Sequence, residues 1–256
     1  MGNISAASEI QGRKIFFLYP AAVVQNQIIA ELVQQEFEVY ITKNHKALQR
    51  VLKKYSDAIV FADIDEGMPA AEWEKWIDDI KKTLPDVSIG IISASKDEEL
   101  KEKYINSVGV HCGFTVLVSD INKAIVQILE NLKAVNAKGR RKYIRATMEN
   151  ETGVSVNLPL NGSFINGTIQ DISVVGISCS FDSDPELTKN ALFKDIQVKL
   201  QSALLKVEGI VFGSRMDENI KSYVLLFTQR IDPEARTKIR KYIQQNLQNK
   251  MDVELK

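Results

Sequence analysis

The chain predicts an α/β domain followed by a β domain: a doubly wound, five-stranded parallel sheet, then an antiparallel β-barrel with a C-terminal helix. Three observations predict it. The 256 residues suit about two domains at roughly 100–200 residues each. Over the first half, apolar runs of strand length alternate with segments of helical periodicity. From Ala146 to Thr228 no helical pattern longer than about two turns occurs, and short β-rich segments follow one another between turn signals.

The elements follow in order. Ile15–Tyr19 is a continuous apolar run, as a parallel strand buried on both faces requires, and Ala22–Glu36 carries Val24, Ile28, Leu32 and Val33 at helical spacing. Glu38–Thr42 alternates as a strand, and Asn44 is placed to cap a helix that buries Leu48, Val51, Leu52 and Tyr55. Ala58–Ile64 is a third strand, followed by a helix over Ala70–Leu84 that stops before Pro85. Val87–Ile92 is a fourth strand; Asp97 caps the next helix and Gly109 ends it. Gly113–Val118 is the fifth, and Asp120 caps a last helix through Ile121, Ile125, Ile128 and Leu132. Such a series of βα units implies a doubly wound parallel sheet. The later strands are Val154–Leu158, Phe164–Ile172, Gly176–Phe181, Ile196–Leu200, Leu204–Phe212 and Tyr223–Phe227, with Asn161-Gly162 and Asn166-Gly167 as turn signals. Pro233 opens an amphipathic helix through Ile239, Tyr242, Ile243 and Leu247. The expected plan is a tail over 1–12, the α/β domain over 13–135, a linker with a basic arm over 136–145, and the barrel with its helix over 146–256.

A composition of 45% hydrophobic and 26% charged residues argues against a disordered or low-complexity chain. The cysteines, Cys112 and Cys179, are too few and too far apart for a disulfide framework, and no signal-peptide pattern opens the chain. Both point to the cytoplasm. The longest nearly apolar run, Ile15–Val24, is half of the roughly 20 residues a membrane helix needs, so no membrane insertion is expected. Net charge is zero, but residues 1–136 carry −4 (15 basic, 19 acidic) and residues 137–256 carry +4 (18 basic, 14 acidic). The sign changes at Lys138-Gly-Arg-Arg-Lys-Tyr-Ile-Arg145, where five of eight residues are cationic. Such a cluster is either a solvated linker or an anion site for nucleic acid or a phosphorylated small molecule.

No catalytic constellation is present. Of the two histidines, His45 and His111, the second adjoins Cys112 and lacks the spacing of a metal pair, which reads as a surface histidine beside a buried cysteine. No G-x-S-x-G, P-loop or G-x-G-x-x-G occurs. The expectation is a non-enzymatic protein with no catalytic residue, no metal and no cofactor.

Asp65-Glu-Gly-Met68-Pro69 after the third strand, with Ser93-Ala94 after the fourth, resembles the response-regulator receiver family over about residues 13–134. The family's acidic pair after the first strand is replaced by Tyr19-Pro20, and its lysine ending the fifth strand is missing from Phe114–Ser119. A hard cation needs oxygen ligands and phosphoryl transfer needs charge compensation. The domain therefore looks like a pseudo-receiver, with Asp63 and Asp65 expected as solvated strand-end carboxylates.

Arg141-x-x-x-Arg145, followed 26 residues later by Asp171-x-Ser173-x-x-Gly176, resembles the PilZ domain, the bacterial receptor module for cyclic di-GMP. Val207-Glu-Gly209-Ile-Val211, Tyr223–Phe227 and the Pro233 helix fit its later strands and closing helix, so the resemblance covers about residues 138–249. It implies Arg140, Arg141, Arg145, Asp171, Ser173 and Gly176 as ligand-binding residues. The chemistry is suited to that ligand. An arginine fork bonds phosphate, or O6 and N7 of guanine, and stacks on the base. A carboxylate accepts from guanine N1 and N2, a small hydroxyl adds a polar contact, and a glycine permits close approach or positive φ. In the resembled family the residue before R-x-x-x-R influences whether one ligand or a stacked pair is held; Arg140 there implies two. Asp-x-Ser as a turn cap and Gly176 as a bulge are the plainer reading.

The expected function is a cyclic di-GMP effector that couples ligand binding to an interdomain rearrangement and to an unidentified downstream protein. One rival is a phosphorylated response regulator binding nucleic acid through the basic segment; the lost acidic pair and lysine, and the want of a helix-turn-helix pattern, argue against it. The other is a PilZ-type adaptor that binds no ligand.

Overall fold

The computed structural model describes residues 5–117, 120–148, 151–217 and 220–256. They form two compact units: one of residues Met1–Lys142 together with Leu247–Lys256, the other of Tyr143–Asn246.

The first unit opens with α1 (Ala6–Gln11), in the segment expected as a tail. Ser5 caps it, its Oγ accepting from Ser8 N at 3.2 Å while its own N–H donates to Asp57 Oδ2 at 2.7 Å. Strands β1 (Ile15–Leu18), β2 (Val39–Thr42), β3 (Ile59–Asp63), β4 (Ser88–Ser93) and β5 (Phe114–Val116) make an all-parallel sheet of order 2-1-3-4-5, one of the doubly wound orders. Val118, expected in the fifth strand, lies outside the described residues. Both faces of the sheet are covered, so alternate residues of one strand enter different cores: Phe16 and Leu18 one, Ile15 and Phe17 the other. That is why β1 and β3 read as unbroken apolar runs.

The helices follow the caps. A π-helical turn, Val24–Ile29, runs into α2 (Ala30–Gln34). Asn44 caps α3 (His45–Leu52), its Oδ1 accepting from Ala47 N at 3.0 Å. Helix α4 spans Ala70–Thr83. Asp97 caps α5 (Glu98–Glu102), which continues as a π-helical turn over Lys103–Val108 and ends at Gly109 in the left-handed region. Asp120 caps α6 (Ile121–Ala134).

The second unit holds β6 (Ala146–Thr147), β7 (Val154–Leu160), β8 (Ser163–Ser173), β9 (Gly176–Phe181), β10 (Leu192–Leu200), β11 (Ala203–Asp217) and β12 (Ile220–Phe227). Strands 8-7-10-11-12-9 pair antiparallel in that order, and β9 returns to β8, closing a six-stranded barrel with β6 laid along β8. Alternation fills the interior with Val156, Leu158, Ile169, Ile177, Cys179, Val198, Tyr223 and Leu225, all at most 1% exposed. Asn161 and Gly162 take φ of 52° and 81° and make the expected hairpin turn. Asn166-Gly167, a turn signal within the expected strand Phe164–Ile172, makes no turn and lies inside β8. Gly167 pairs with Val156 on one side and Phe181 on the other, where the strand passes from β7 to β9. A Cβ there would lie 2.5 Å from Ser180 O, so the glycine serves close strand approach, not a turn.

Helix α7 (Pro233–Glu254) begins in the second unit, burying Ala235, Ile239 and Ile243. Its last residues group with the first unit. Met251 and Leu255 join that unit's core, and Glu254 accepts from Lys54 Nζ at 2.9 Å and Tyr55 OH at 3.0 Å. The Gln248 amide bonds both Ile41 N and Ile41 O at 2.9 Å, satisfying the free edge of β2 as a neighbouring strand would.

Candidate functional site

The expected ligand residues fall into two groups. Arg145, Asp171, Ser173 and Gly176 belong to the barrel unit. Pairing of Ala146 with Ile172 and Thr147 with Asp171 carries Arg145 to the carboxylate, although 26 residues separate them in sequence. Arg145 Nη1 lies 3.7 Å from Asp171 Oδ1, with the side chains 49% and 22% exposed. A guanidinium fork and a carboxylate, both open to solvent, are thus presented together. The pair can meet the acceptor edge of a guanine with one partner and its N1 and N2 donors with the other.

Ser173 and Gly176 frame the two-residue turn between β8 and β9. The Ser173 hydroxyl is buried; it donates to Gly176 O at 3.2 Å and accepts from Val175 N at 3.4 Å. Its role in this structure is to hold the turn. Gly176 is required by close approach rather than by positive φ, since a Cβ would lie 2.4 Å from Leu225 O.

Arg140 and Arg141 belong to the first unit. Their backbone N–H groups donate to Glu9 O at 2.8 Å and Ile10 O at 2.9 Å, the last carbonyls of α1. Arg140 Nη2 is 3.9 Å from Glu9 Oε2 and its side chain is 81% exposed. Lys138 lies over the Phe37 ring at 4.6 Å and donates to Gln35 O at 2.5 Å. The backbone of the arm up to Arg141 is therefore placed by hydrogen bonds to the N-terminal segment, while both arginine side chains are exposed.

The receiver-like unit has a cleft of about 480 Å³ lined in part by Asp63, Asp65, Glu66, Ala94 and Leu117. Asp65 is exposed, and it accepts from Ser93 Oγ at 2.8 Å and Ala94 N at 2.5 Å. Asp63 corrects the sequence expectation of a solvated carboxylate: it is 2% exposed and its Oδ2 accepts from Ala21 N at 2.9 Å. The strand end tucks it under the chain after β1. Burial pushes its carboxyl pKa up, against the lowering by the Ala21 hydrogen bond. Tyr19, the residue after β1, bonds His45 Nδ1 through its hydroxyl at 3.0 Å and packs edge-on to Trp73. Among the described residues no group of three or more His, Cys, Asp or Glu is placed to hold a metal ion. His111 is exposed beside buried Cys112, whose thiol burial pushes up to about 12.

Fold and site together define a receiver-like α/β unit joined to a small antiparallel barrel with an arginine–carboxylate pair on its surface. The barrel is a PilZ domain: the family model matches residues 139–245. Among solved structures, the chain is similar to the PilZ domain with c-di-GMP of YcgR from Escherichia coli (16% identity over 44% of this chain and 98% of that one, TM-score 0.37). It is also similar to the inhibitor of motility MotI/DgrA of Bacillus subtilis (16%, 43% and 52%, TM-score 0.38) and to a response regulator from Thermotoga maritima (19%, 48% and 98%, TM-score 0.40). The match spans about half the length of the Bacillus protein. No curated protein matches the chain. No helix among the described residues is long and apolar enough to cross a membrane.

Proposed function

We propose that the chain is a cytoplasmic, non-enzymatic effector that binds cyclic di-GMP through its PilZ domain. The observation that carries the reading is the meeting of Arg145 and Asp171 on the surface of a barrel whose sequence matches that family. Arg145 and Arg141 bond phosphate and the guanine acceptor edge, and Asp171 accepts from guanine N1 and N2. Arg140 adds charge for a second, stacked ligand. Two cyclic di-GMP molecules carry four negative charges, which Arg140, Arg141 and Arg145 largely offset. Ligand capture fixes the exposed arginine side chains of residues 138–145, the chain between the two domains, and so resets their relation; the output is contact with a downstream protein.

Calorimetry with cyclic di-GMP beside cyclic di-AMP and GTP tests this. Saturable binding of cyclic di-GMP alone is expected. Equal binding of all three would reduce the site to an unspecific anion patch, and no binding would favour the ligand-independent adaptor.

A further inference from the structure

Between Ile169 and Ile172, both facing the barrel interior at 1% and 0% exposure, lie two polar residues, Gln170 and Asp171. A regular strand has room for only one outward residue between two inward ones. The register confirms the excess: Ile169 pairs with Cys179 and Asp171 with Ser178, so β8 spends two steps where β9 spends one. This is a β-bulge, and it leaves two side chains competing for one stretch of outer surface. The sequence carries the signal in the break of alternation at Ile169-Gln-Asp-Ile172.

Gln170 takes the inner place. Its Nε2 donates to Ser222 Oγ at 2.7 Å, and its Oε1 accepts from Ser178 Oγ at 3.0 Å. One primary amide thus bridges β9 and β12. Both serines are buried, at 4% and 1% exposure. A buried hydroxyl left without a partner is costly, so the Ser178 hydroxyl, which donates to Gln170 Oε1, would turn to the nearest other acceptor if the amide were gone. The backbone is held as well, because Gln170 O accepts from Met148 N at 2.7 Å. Asp171, the registered neighbour of Ser178, is thereby left to face Arg145.

We propose that Gln170 is a positioning residue for ligand recognition: by satisfying Ser178 and Ser222 it keeps the Asp171 carboxylate free for the guanine edge. The proposal rests on the reading that this site binds cyclic di-GMP. Without the amide, Ser178 donates to the neighbouring carboxylate, Asp171 turns away from Arg145, and guanine selectivity falls while phosphate affinity persists.

The test compares cyclic di-GMP with cyclic di-IMP, which lacks the 2-amino donors, in the full chain. One charge-assisted hydrogen bond corresponds to a preference of about tenfold for cyclic di-GMP. Gln170→Ala should lose most of that preference, and Gln170→Ala combined with Ser178→Ala should regain it, because the competing donor is gone. A merely structural role predicts the opposite for the double variant, which removes still more of the network. Retained preference in Gln170→Ala, or equal weakening of both ligands with no recovery in the double variant, overturns the proposal. A crystal structure of Gln170→Ala gives a readout independent of ligand: Asp171 is expected on Ser178 Oγ, and a carboxylate still beside Arg145 refutes the mechanism. If the unaltered chain binds neither dinucleotide, the ligand reading fails, and the crystal structure alone decides the proposal about Asp171.

Discussion

Replacing Arg145 with alanine breaks one contact present in the fold and removes the fork offered to the ligand, and the two effects differ in size. The Arg145–Asp171 pair is 3.7 Å apart with the arginine half exposed. Solvent-screened pairs of this kind contribute about 0–1 kcal/mol. For a chain of this size, about 1 kcal/mol moves the unfolding midpoint by no more than about 4 °C. A charge-assisted hydrogen bond to phosphate or guanine is worth about 1.5–3 kcal/mol. Exchanging the internal pair for ligand contacts is therefore favourable, and losing the fork should weaken cyclic di-GMP by roughly 10- to 100-fold. The assay is calorimetry on Arg145→Ala and Arg141→Ala, with thermal unfolding measured on the same samples. Lysine should not restore affinity at Arg145, since it cannot reproduce the planar fork. Wild-type affinity in both alanine variants would refute the site. So would a loss of affinity accompanied by a large drop in unfolding temperature, since the structure assigns the pair little weight in the fold.

Other expectations follow from the same structure. Titration far above the dissociation constant should reach equivalence at two cyclic di-GMP per chain and move toward one in Arg140→Leu; equivalence at one in the unaltered protein sinks the role given to Arg140. Incubation with a small phosphodonor and Mg²⁺ should label neither Asp63 nor Asp65, because Tyr19-Pro20 supplies no oxygen-ligand pair; intact mass would show otherwise. Burial raises the folded pKa of Asp63 above its unfolded value, so charging it opposes folding as pH rises from the ordinary carboxylate range through the folded value. Asp63→Asn, which keeps an acceptor for Ala21 N–H, should match wild type in strong acid and exceed it in unfolding temperature near neutrality; a gap that does not change with pH contradicts this. Met251→Ala should cost about 2–5 kcal/mol, and Gln248→Ala should speed hydrogen exchange of the Ile41 amide, whose partner it removes. Unchanged exchange there would show that the β2 edge does not depend on the helix.

Much of the architecture was legible because it depends on local chemistry. Asn44, Asp97 and Asp120 each cap the helix that follows, and Gly109 ends its helix in the left-handed region. Unbroken apolar runs meant a sheet covered on both sides, and short β-rich segments spaced by turn signals meant a barrel. The R-x-x-x-R and D-x-S-x-x-G residues could be named because their order and spacing resemble the PilZ family. What sequence could not show was register. Asn166-Gly167 is a turn signal by local preference inside the expected strand Phe164–Ile172, and only pairing with both β7 and β9 shows what the glycine is for. Asp63 reads as a solvated strand end, and only the passage of the chain over it at Ala21 makes it buried. Ser173 reads as a ligand contact, yet its hydroxyl closes a turn. The last residues of α7 complete the core of the first unit, about 200 residues away along the chain. By itself the sequence determined the two fold classes and most of the strand segments, though not the short β6 that brings Arg145 to Asp171. Tertiary structure decided which carboxylate is buried, which faces an arginine, and that Gln170 occupies the serines beside it. Hydrogen-bond partners and burial depend on distances between remote segments, and no local pattern contains those distances.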